Sequence, residues 1–321
     1  MLNRKRYESM TAAEAASLEK LRELITASTL PSRQLDENLL LATFNIREFG
    51  ARRRQNFAIN ALAEICACFD IVAIQELRRN LGDLNRMLAV MGPYWKVVFT
   101  DPSGAEKKPG NDERLAYIYD SRVVRFTGLA AELLVTDDFL GTAGVPKTDM
   151  SVPWRTPYVV SFRAGTFDFT LLTVHIQWNE SGGIAARTKE IEMITSWVAD
   201  QRSTAQIYDP DIFVLGDFNI PSLGSATFKA LEKFGLRVPA KLRTIKTNLK
   251  QDAHYDQIAF FEENTECEVG AAGVLNFEPA YFGSSLSAKE RDAMTYQLSD
   301  HLPLWAEVRL RATSLDPFIR T

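Results

Sequence analysis

The sequence is poor in cysteine, in histidine and in net charge. Three cysteines stand in 321 residues: Cys66, Cys68 and Cys267. Cys66 and Cys68 lie one residue apart in an apolar segment, with no second pair elsewhere. That excludes a disulfide framework and a thiolate zinc site, and it fits a reducing compartment. No run of about 18 apolar residues occurs, so no transmembrane span is expected. The opening Met-Leu-Asn-Arg-Lys-Arg lacks the apolar core of a secretory signal, and a cytoplasmic location is the expectation. A basic excess is lacking too: 37 Lys and Arg stand against 41 Asp and Glu, a net charge of −4. This argues against coating nucleic acid by charge alone. It leaves room for an enzyme that grips one phosphate through a metal and its neighbours through local arginines. What is present is a globular composition, 46% hydrophobic and 24% charged, long enough for a sizeable core.

Along the chain, Thr11 and Glu14 form a capping box ahead of Leu18, Leu21, Leu24 and Ile25 at helical spacing. Pro31 and Ser32 end that helix, and residues 1–36 read as an N-terminal helical extension. It is a packing helix by default, and the place to look for self- or partner association. Strands are expected at Leu39–Ile46, Asp70–Glu76, Tyr94–Phe99, Arg114–Tyr119, Val123–Leu129, Tyr158–Phe162, Phe167–Ile176, Asp211–Leu215, His254–Phe261 and Pro303–Leu310. Helices are expected at Phe57–Phe69, Leu84–Met91, Ile184–Ala199 and Ala226–Phe234, with loops at 100–111 and 137–156. Alternating αβ units mixed with hairpin-like strand pairs predict an α/β protein with mixed sheets. No internal repeat or linker divides the chain.

Polar residues collect at the ends of the apolar strands. Asn45, Glu76, His175, Asp217 and Asn219 each follow such a run, and Asp300 and His301 precede one. Buried strands deliver such residues to a common sheet edge, where ligands bind. Glu76, Asp300 and Asn45 offer hard oxygens suited to Mg²⁺ or Mn²⁺. Asp217 and Asn219, two apart, face one side of an extended segment. The carboxylate can orient water and the amide can donate to a phosphoryl oxygen. Asp256 can fix an imidazole tautomer. These are parts for metal-assisted hydrolysis of a phosphate ester.

The order of these residues resembles the endonuclease/exonuclease/phosphatase superfamily, from about Leu39 to Leu310. The resemblance rests on Thr-Phe-Asn45-Ile, Ile-Gln-Glu76-Leu-Arg78, Glu113-Arg114, Trp154-Arg155-Thr-Pro157, Thr-Val-His175, Gly216-Asp217-Phe-Asn219, Tyr255-Asp256-Gln-Ile and Ser299-Asp300-His301-Leu-Pro303. It implies a four-layer α/β sandwich over residues 37–321, two mixed β-sheets face to face flanked by helices. It also implies Asn45, Glu76 and Asp300 around the metal, Asp217 and Asn219 positioning water and phosphate, and His175 and His301 flanking the scissile phosphate, with Asp256 orienting His301. The spelling is nearest the deoxyribonuclease I-like branch, through Glu76-x-Arg78, Arg155-x-Pro157 and His175. Arg78 and Arg155, with Arg114, are then the expected phosphate contacts. Leu115 departs from that branch, whose pattern has a groove-contacting tyrosine there.

Arg52-Arg53-Arg54 reads as a solvated helix start or as a phosphate-tracking patch. Lys241, Arg243, Lys246 and Lys250 read as a solvated loop or a substrate contact, and Trp178 as packing or a base-stacking ring. Three functions follow: a Mg²⁺-dependent nuclease acting on DNA, a phosphatase or phosphodiesterase for a small or lipid phosphate, or an inactive binding module. The first uses the most residues, and the last requires losses that the sequence does not show.

Overall fold

A computed structural model describes residues 2–102, 111–133, 153–178, 183–203, 211–262 and 267–310. Its strands are β1 (Asn38–Phe49), β2 (Ile71–Arg78), β3 (Trp95–Phe99), β4 (Glu113–Asp120), β5 (Val124–Glu132), β6 (Tyr158–Ala164), β7 (Phe167–His175), β8 (Ile212–Asp217), β9 (Asp256–Phe260), β10 (Cys267–Val274) and β11 (Leu304–Leu310). Helices are α1 (Ala12–Ala27), α2 (Asn56–Cys66), α3 (Gly82–Met91), α4 (Gly183–Ser203), α5 (Ala226–Glu232), α6 (Ala240–Arg243), α7 (Glu278–Tyr281) and α8 (Ala288–Thr295). The loop expected at 100–111 lies largely outside the described residues, and so does most of 137–156.

Six strands form one sheet in the order β10-β11-β1-β2-β4-β3, and five form the other in the order β5-β6-β7-β8-β9. Each sheet has one parallel pair, β1 with β2 and β7 with β8, among antiparallel neighbours. The two-residue alternation of side chains explains the layering. Leu39, Leu41, Ile71, Ala73 and Tyr117 point into the cluster shared with Phe162, Leu171 and Val214 of the second sheet. Leu40, Ala42, Phe44, Val72 and Ile74 point the other way, against Leu62 and Ile65 of α2. On the far side, Ile191, Ile194 and Val198 of α4 and Phe228 and Leu231 of α5 join the core of the second sheet. The result is the four-layer sandwich, helices–sheet–sheet–helices.

The capping box at Thr11 and Glu14 is present, and α1 lays Leu18 and Leu21 into the same apolar cluster as α2. Arg22 pairs with Glu64 of α2 at 2.8 Å with both side chains buried. Several features differ from the sequence expectation. Helices α6, α7 and α8 were not expected, and Lys241 and Arg243, read as loop cations, stand on α6 and donate to the Gly270 carbonyl and to Glu232. Although consecutive, β4 and β5 go to different sheets. Strand β10 was not expected, because Cys-Glu-Val-Gly-Ala-Ala-Gly-Val is weak in strand formers. It pairs with β11 because its glycines leave room: a Cβ on Gly270 would lie 2.1 Å from Glu307 Oε2, the carboxylate that accepts the Ala271 N–H. Within the basic run, Arg54 is neither solvated nor free for phosphate. It is 2% exposed, donates to the carbonyls of Arg47 and Gln297, and packs over Phe49, and burial pushes its pKa down to about 10. None of the described helices is long and apolar enough to cross a membrane.

Candidate active site

The two parallel pairs place the site. Asn45 and Glu76 sit at the ends of β1 and β2. At the end of the other pair His175 of β7 stands in register with Asp217 of β8, and Asp217 with Asp256 of β9. Asn45 Nδ2 joins the two sheets, donating to Glu76 Oε1 and Asp217 Oδ2, each at 3.0 Å. Glu76 reaches this position through an irregularity: the pairing of β2 with β4 shifts between Ile74 and Leu77, and Glu76 adopts φ +61°. A bulge with a left-handed residue re-aims a side chain and costs roughly 1–3 kcal/mol for a non-glycine residue. Part of that cost is offset because Glu76 Oε2 accepts the Glu48 N–H at 2.7 Å.

Two histidines converge on one carboxylate. His175 Nε2 lies 3.5 Å and His301 Nε2 3.8 Å from Asp217 Oδ2. Each is backed at Nδ1 by a buried carboxylate: Glu113 Oε2 at 3.0 Å for His175 and Asp256 Oδ2 at 2.8 Å for His301. The contact of Asp256 with His301 is the one that the resemblance implied. Burial alone would lower the proton affinity of His301, but Asp256, Asp217 and Asp300 outweigh it and hold its pKa well above the ordinary histidine value. Ser299 Oγ ties the segment to β1 by donating to the Asn45 carbonyl at 2.6 Å and accepting the His301 N–H at 3.0 Å.

Glu113 was only a motif residue in the sequence, yet it is the hub of one wall. It accepts hydrogen bonds from Arg155 Nη2 at 3.0 Å and Asn111 Nδ2 at 2.7 Å, meets His175 Nδ1 at 3.0 Å, and forms ion pairs with Arg155, whose Nε lies 2.5 Å away, and with Arg78 at 3.4 Å. Burial would raise its pKa, but His175 and Arg155 reverse the sign and hold it well below the usual carboxylate range. Two of the three arginines expected on phosphate, Arg78 and Arg155, are therefore turned onto Glu113. Arg155 also donates to the His175 carbonyl at 3.3 Å, and Arg78 to the Asn111 carbonyl at 2.6 Å. Arg114 is placed apart from this cluster: it donates to the carbonyls of Arg78 and Arg79 and packs over Phe99. Leu115 is 3% exposed in the inter-sheet core and offers nothing to a groove. One further buried acid was not foreseen. Glu190 of α4 accepts the Trp154 N–H at 3.0 Å, and burial pushes its carboxyl up to about 7.

The donor set fits a hard divalent cation. Asn45 Oδ1 is buried with no hydrogen-bond partner among the described residues. Such an orphan costs about 1–3 kcal/mol unless something meets it. Burial and the nearby Glu76 raise the pKa of Asp300 against the pull of His301 and Arg47, as expected for carboxylates gathered without a counter-ion. Ligand atoms of Asp217, Asp256 and His301 also lie within 4.8 Å of one another. In that trio Asp256 Oδ2 and His301 Nδ1 are bonded to each other, and the orphaned Asn45 Oδ1 and the carboxylates of Glu76 and Asp300 offer further hard oxygens. Asn219, at φ +51°, gives one amide proton to the Ile176 carbonyl at 2.7 Å, and its N–H goes to Asp217 Oδ1 at 2.8 Å. Among the described residues Asn219 Nδ2 makes no second hydrogen bond.

No protein-family model matches the chain. Mouse deoxyribonuclease gamma is 25% identical over 289 residues, which span 83% of each protein. Among solved structures, an endonuclease/exonuclease/phosphatase family protein of Bacteroides thetaiotaomicron superposes with a TM-score of 0.58 at 18% identity, covering 86% of this chain and 98% of that one. A mannosyl-6-phosphatase of the same bacterium superposes at 0.56 with 17% identity, covering 84% and 99%. The chain thus has the fold of the endonuclease/exonuclease/phosphatase superfamily, and its sequence likeness runs to a deoxyribonuclease I-like member of it.

Proposed function

We propose that the protein is a phosphodiester hydrolase dependent on Mg²⁺ or Mn²⁺ and that its substrate is DNA, cut internally in the cytoplasm. The observation that carries this reading is the pair of histidines from different strands, each backed by a buried carboxylate and each facing Asp217. Asn45, Glu76 and Asp300 hold the cation, which when bound supplies positive charge at the phosphoryl oxygens. Asp217 orients the attacking water between the two imidazoles. Each histidine is oriented at Nδ1 by its carboxylate, which leaves Nε2 as the atom that can exchange a proton as the water attacks or the ester oxygen departs. The free amide proton of Asn219 serves a phosphoryl oxygen. Arg155 acts through Glu113 and His175, while Arg78 adds positive charge at the cleft wall.

DNA is favoured over a small ester by two things. One is the sequence likeness to a deoxyribonuclease. The other is a cavity of about 520 Å³ beside the site, where Arg52, Arg78 and Arg79 outnumber Glu48 and Asp112, although Arg79 is paired with Asp112 and Arg78 with Glu113. The test is hydrolysis of supercoiled plasmid, single-stranded DNA, RNA, an inositol phosphate and a generic phosphodiester, with Mg²⁺, with Mn²⁺ and with chelator, beside His175→Ala. Chelator-sensitive DNA cleavage that vanishes in the variant is the expected result. Turnover confined to the small esters would overturn the DNA reading and leave a phosphatase.

A further inference from the structure

Trp178 stands three residues beyond His175 and is 51% exposed, although it is among the largest apolar side chains. It is nevertheless held in place. The guanidinium of Arg187 lies 4.6 Å from its ring centre. Tyr255 meets it at 5.3 Å and 74°, and the Tyr255 ring in turn leans on His301 at 5.7 Å. Arg187 is itself 7% exposed and is anchored by a 2.5 Å bond to the Asn219 carbonyl. A residue that served packing alone would bury its indole; this one is braced from behind and left half open to water. Tyr255 thus links it to His301 through two ring contacts.

We propose that Trp178, braced by Arg187 and Tyr255 beside His301, stacks the nucleobase next to the scissile phosphate, so that the preferred substrate is an unpaired strand. This rests on the nuclease reading. Aromatic rings stack any base, because every base has a π-face, while the backing guanidinium polarises the indole. A base inside a duplex is already stacked on both sides. Giving it to Trp178 requires unstacking, which single-stranded, gapped or frayed DNA does not. Leu115, buried in the core, leaves duplex-groove contact unsupported from that strand.

The test uses a five-residue oligothymidylate in which methylphosphonates leave one cleavable phosphodiester. The base on each side of that bond is present or replaced by an abasic tetrahydrofuran. Base stacking of this kind is worth a factor on the order of ten or more. The wild type should therefore lose about ten-fold in kcat/KM, mostly through KM, when the base on one side is removed. In Trp178→Ala the ratio between base-bearing and abasic substrates should fall towards one, and Trp178→Phe should restore most of it. A misfolded or merely loosened variant would lower both substrates together and leave the ratio unchanged. Cleavage by the wild type with the same base dependence in Trp178→Ala would remove this assignment and spare the nuclease reading. Absence of cleavage of any oligonucleotide by the wild type would remove both.

Discussion

A Glu113→Gln substitution removes one negative charge from the point where Arg155, Arg78 and His175 converge. The shape of the side chain is kept, so the effect is electrostatic. Oε1 accepts from Arg155 Nη2 and Asn111 Nδ2, and Oε2 meets His175 Nδ1 with the charged Arg155 guanidinium 2.5 Å away at Nε. Whichever way the amide is turned, its NH₂ meets N–H donors on that side, and Arg155 is left buried without its counter-charge. Breaking a buried pair in this way costs about 3–5 kcal/mol. For a protein of this size that is a fall in Tm of roughly 10 °C. The pH dependence has a definite sign. Because the Glu113 pKa is held below its unfolded value, its stabilisation is complete above that unfolded value. It fades as pH falls below about 4.5, so wild type and variant should converge in acid. Activity should fall by at least about 10²-fold in kcat, since His175 loses the partner that fixes its tautomer. Urea unfolding at pH 7 and at pH 4, with single-turnover cleavage at pH 7, measures all three effects. A variant as stable as the wild type at pH 7, with undiminished kcat, would refute the assignment of Glu113 as the group that holds His175.

Glu190 should behave in the opposite sense. Its pKa is raised to about 7, so the folded state keeps a proton that the unfolded state releases near pH 4.5. Stability should therefore fall as pH rises from 4.5 to 7, by at most about 3 kcal/mol. Glu190→Gln should flatten that window and be more stable than wild type at pH 8; identical Tm–pH profiles would contradict the burial argument. The N-terminal helix gives a third test. Leu21 is fully buried against the helix layer of the first sheet, so Leu21→Ala should cost about 2–5 kcal/mol in urea unfolding. An unchanged midpoint would mean that the helix folds and unfolds apart from the rest.

The parts of the site that were legible in the sequence are those whose meaning is local. Asn45, Glu76, His175 and Asp217 end apolar strands, and a strand end is visible as a change from apolar to polar. Their convergence follows from the parallel pairing of β1 with β2 and of β7 with β8, which puts those ends on the same edge. The hub is different. Glu113 begins β4 rather than ending it, and its partners stand 62 residues away at His175 and 42 residues away at Arg155. No spacing rule links them, because an antiparallel strand brings its first residue to the edge where its parallel neighbours bring their last. The same geometry explains the arginines. Arg78, Arg114 and Arg155 look alike in sequence, as cations beside motif residues. Which of them meets a phosphate depends on where Glu113 draws them, and Arg114, the next residue along the strand, points to the opposite side, where it caps the carbonyls of Arg78 and Arg79. The strand β10 was hidden for a related reason. Its glycines weaken the local signal, yet Gly270 leaves room for the Glu307 side chain and Gly273 for the Trp305 ring of the neighbouring strand, so its sequence encodes its partner's needs more than its own. The site is thus split between elements that announce themselves and one carboxylate that becomes functional only when both sheets are in place. Exchange of Glu113 is accordingly the change that should disturb fold and chemistry together.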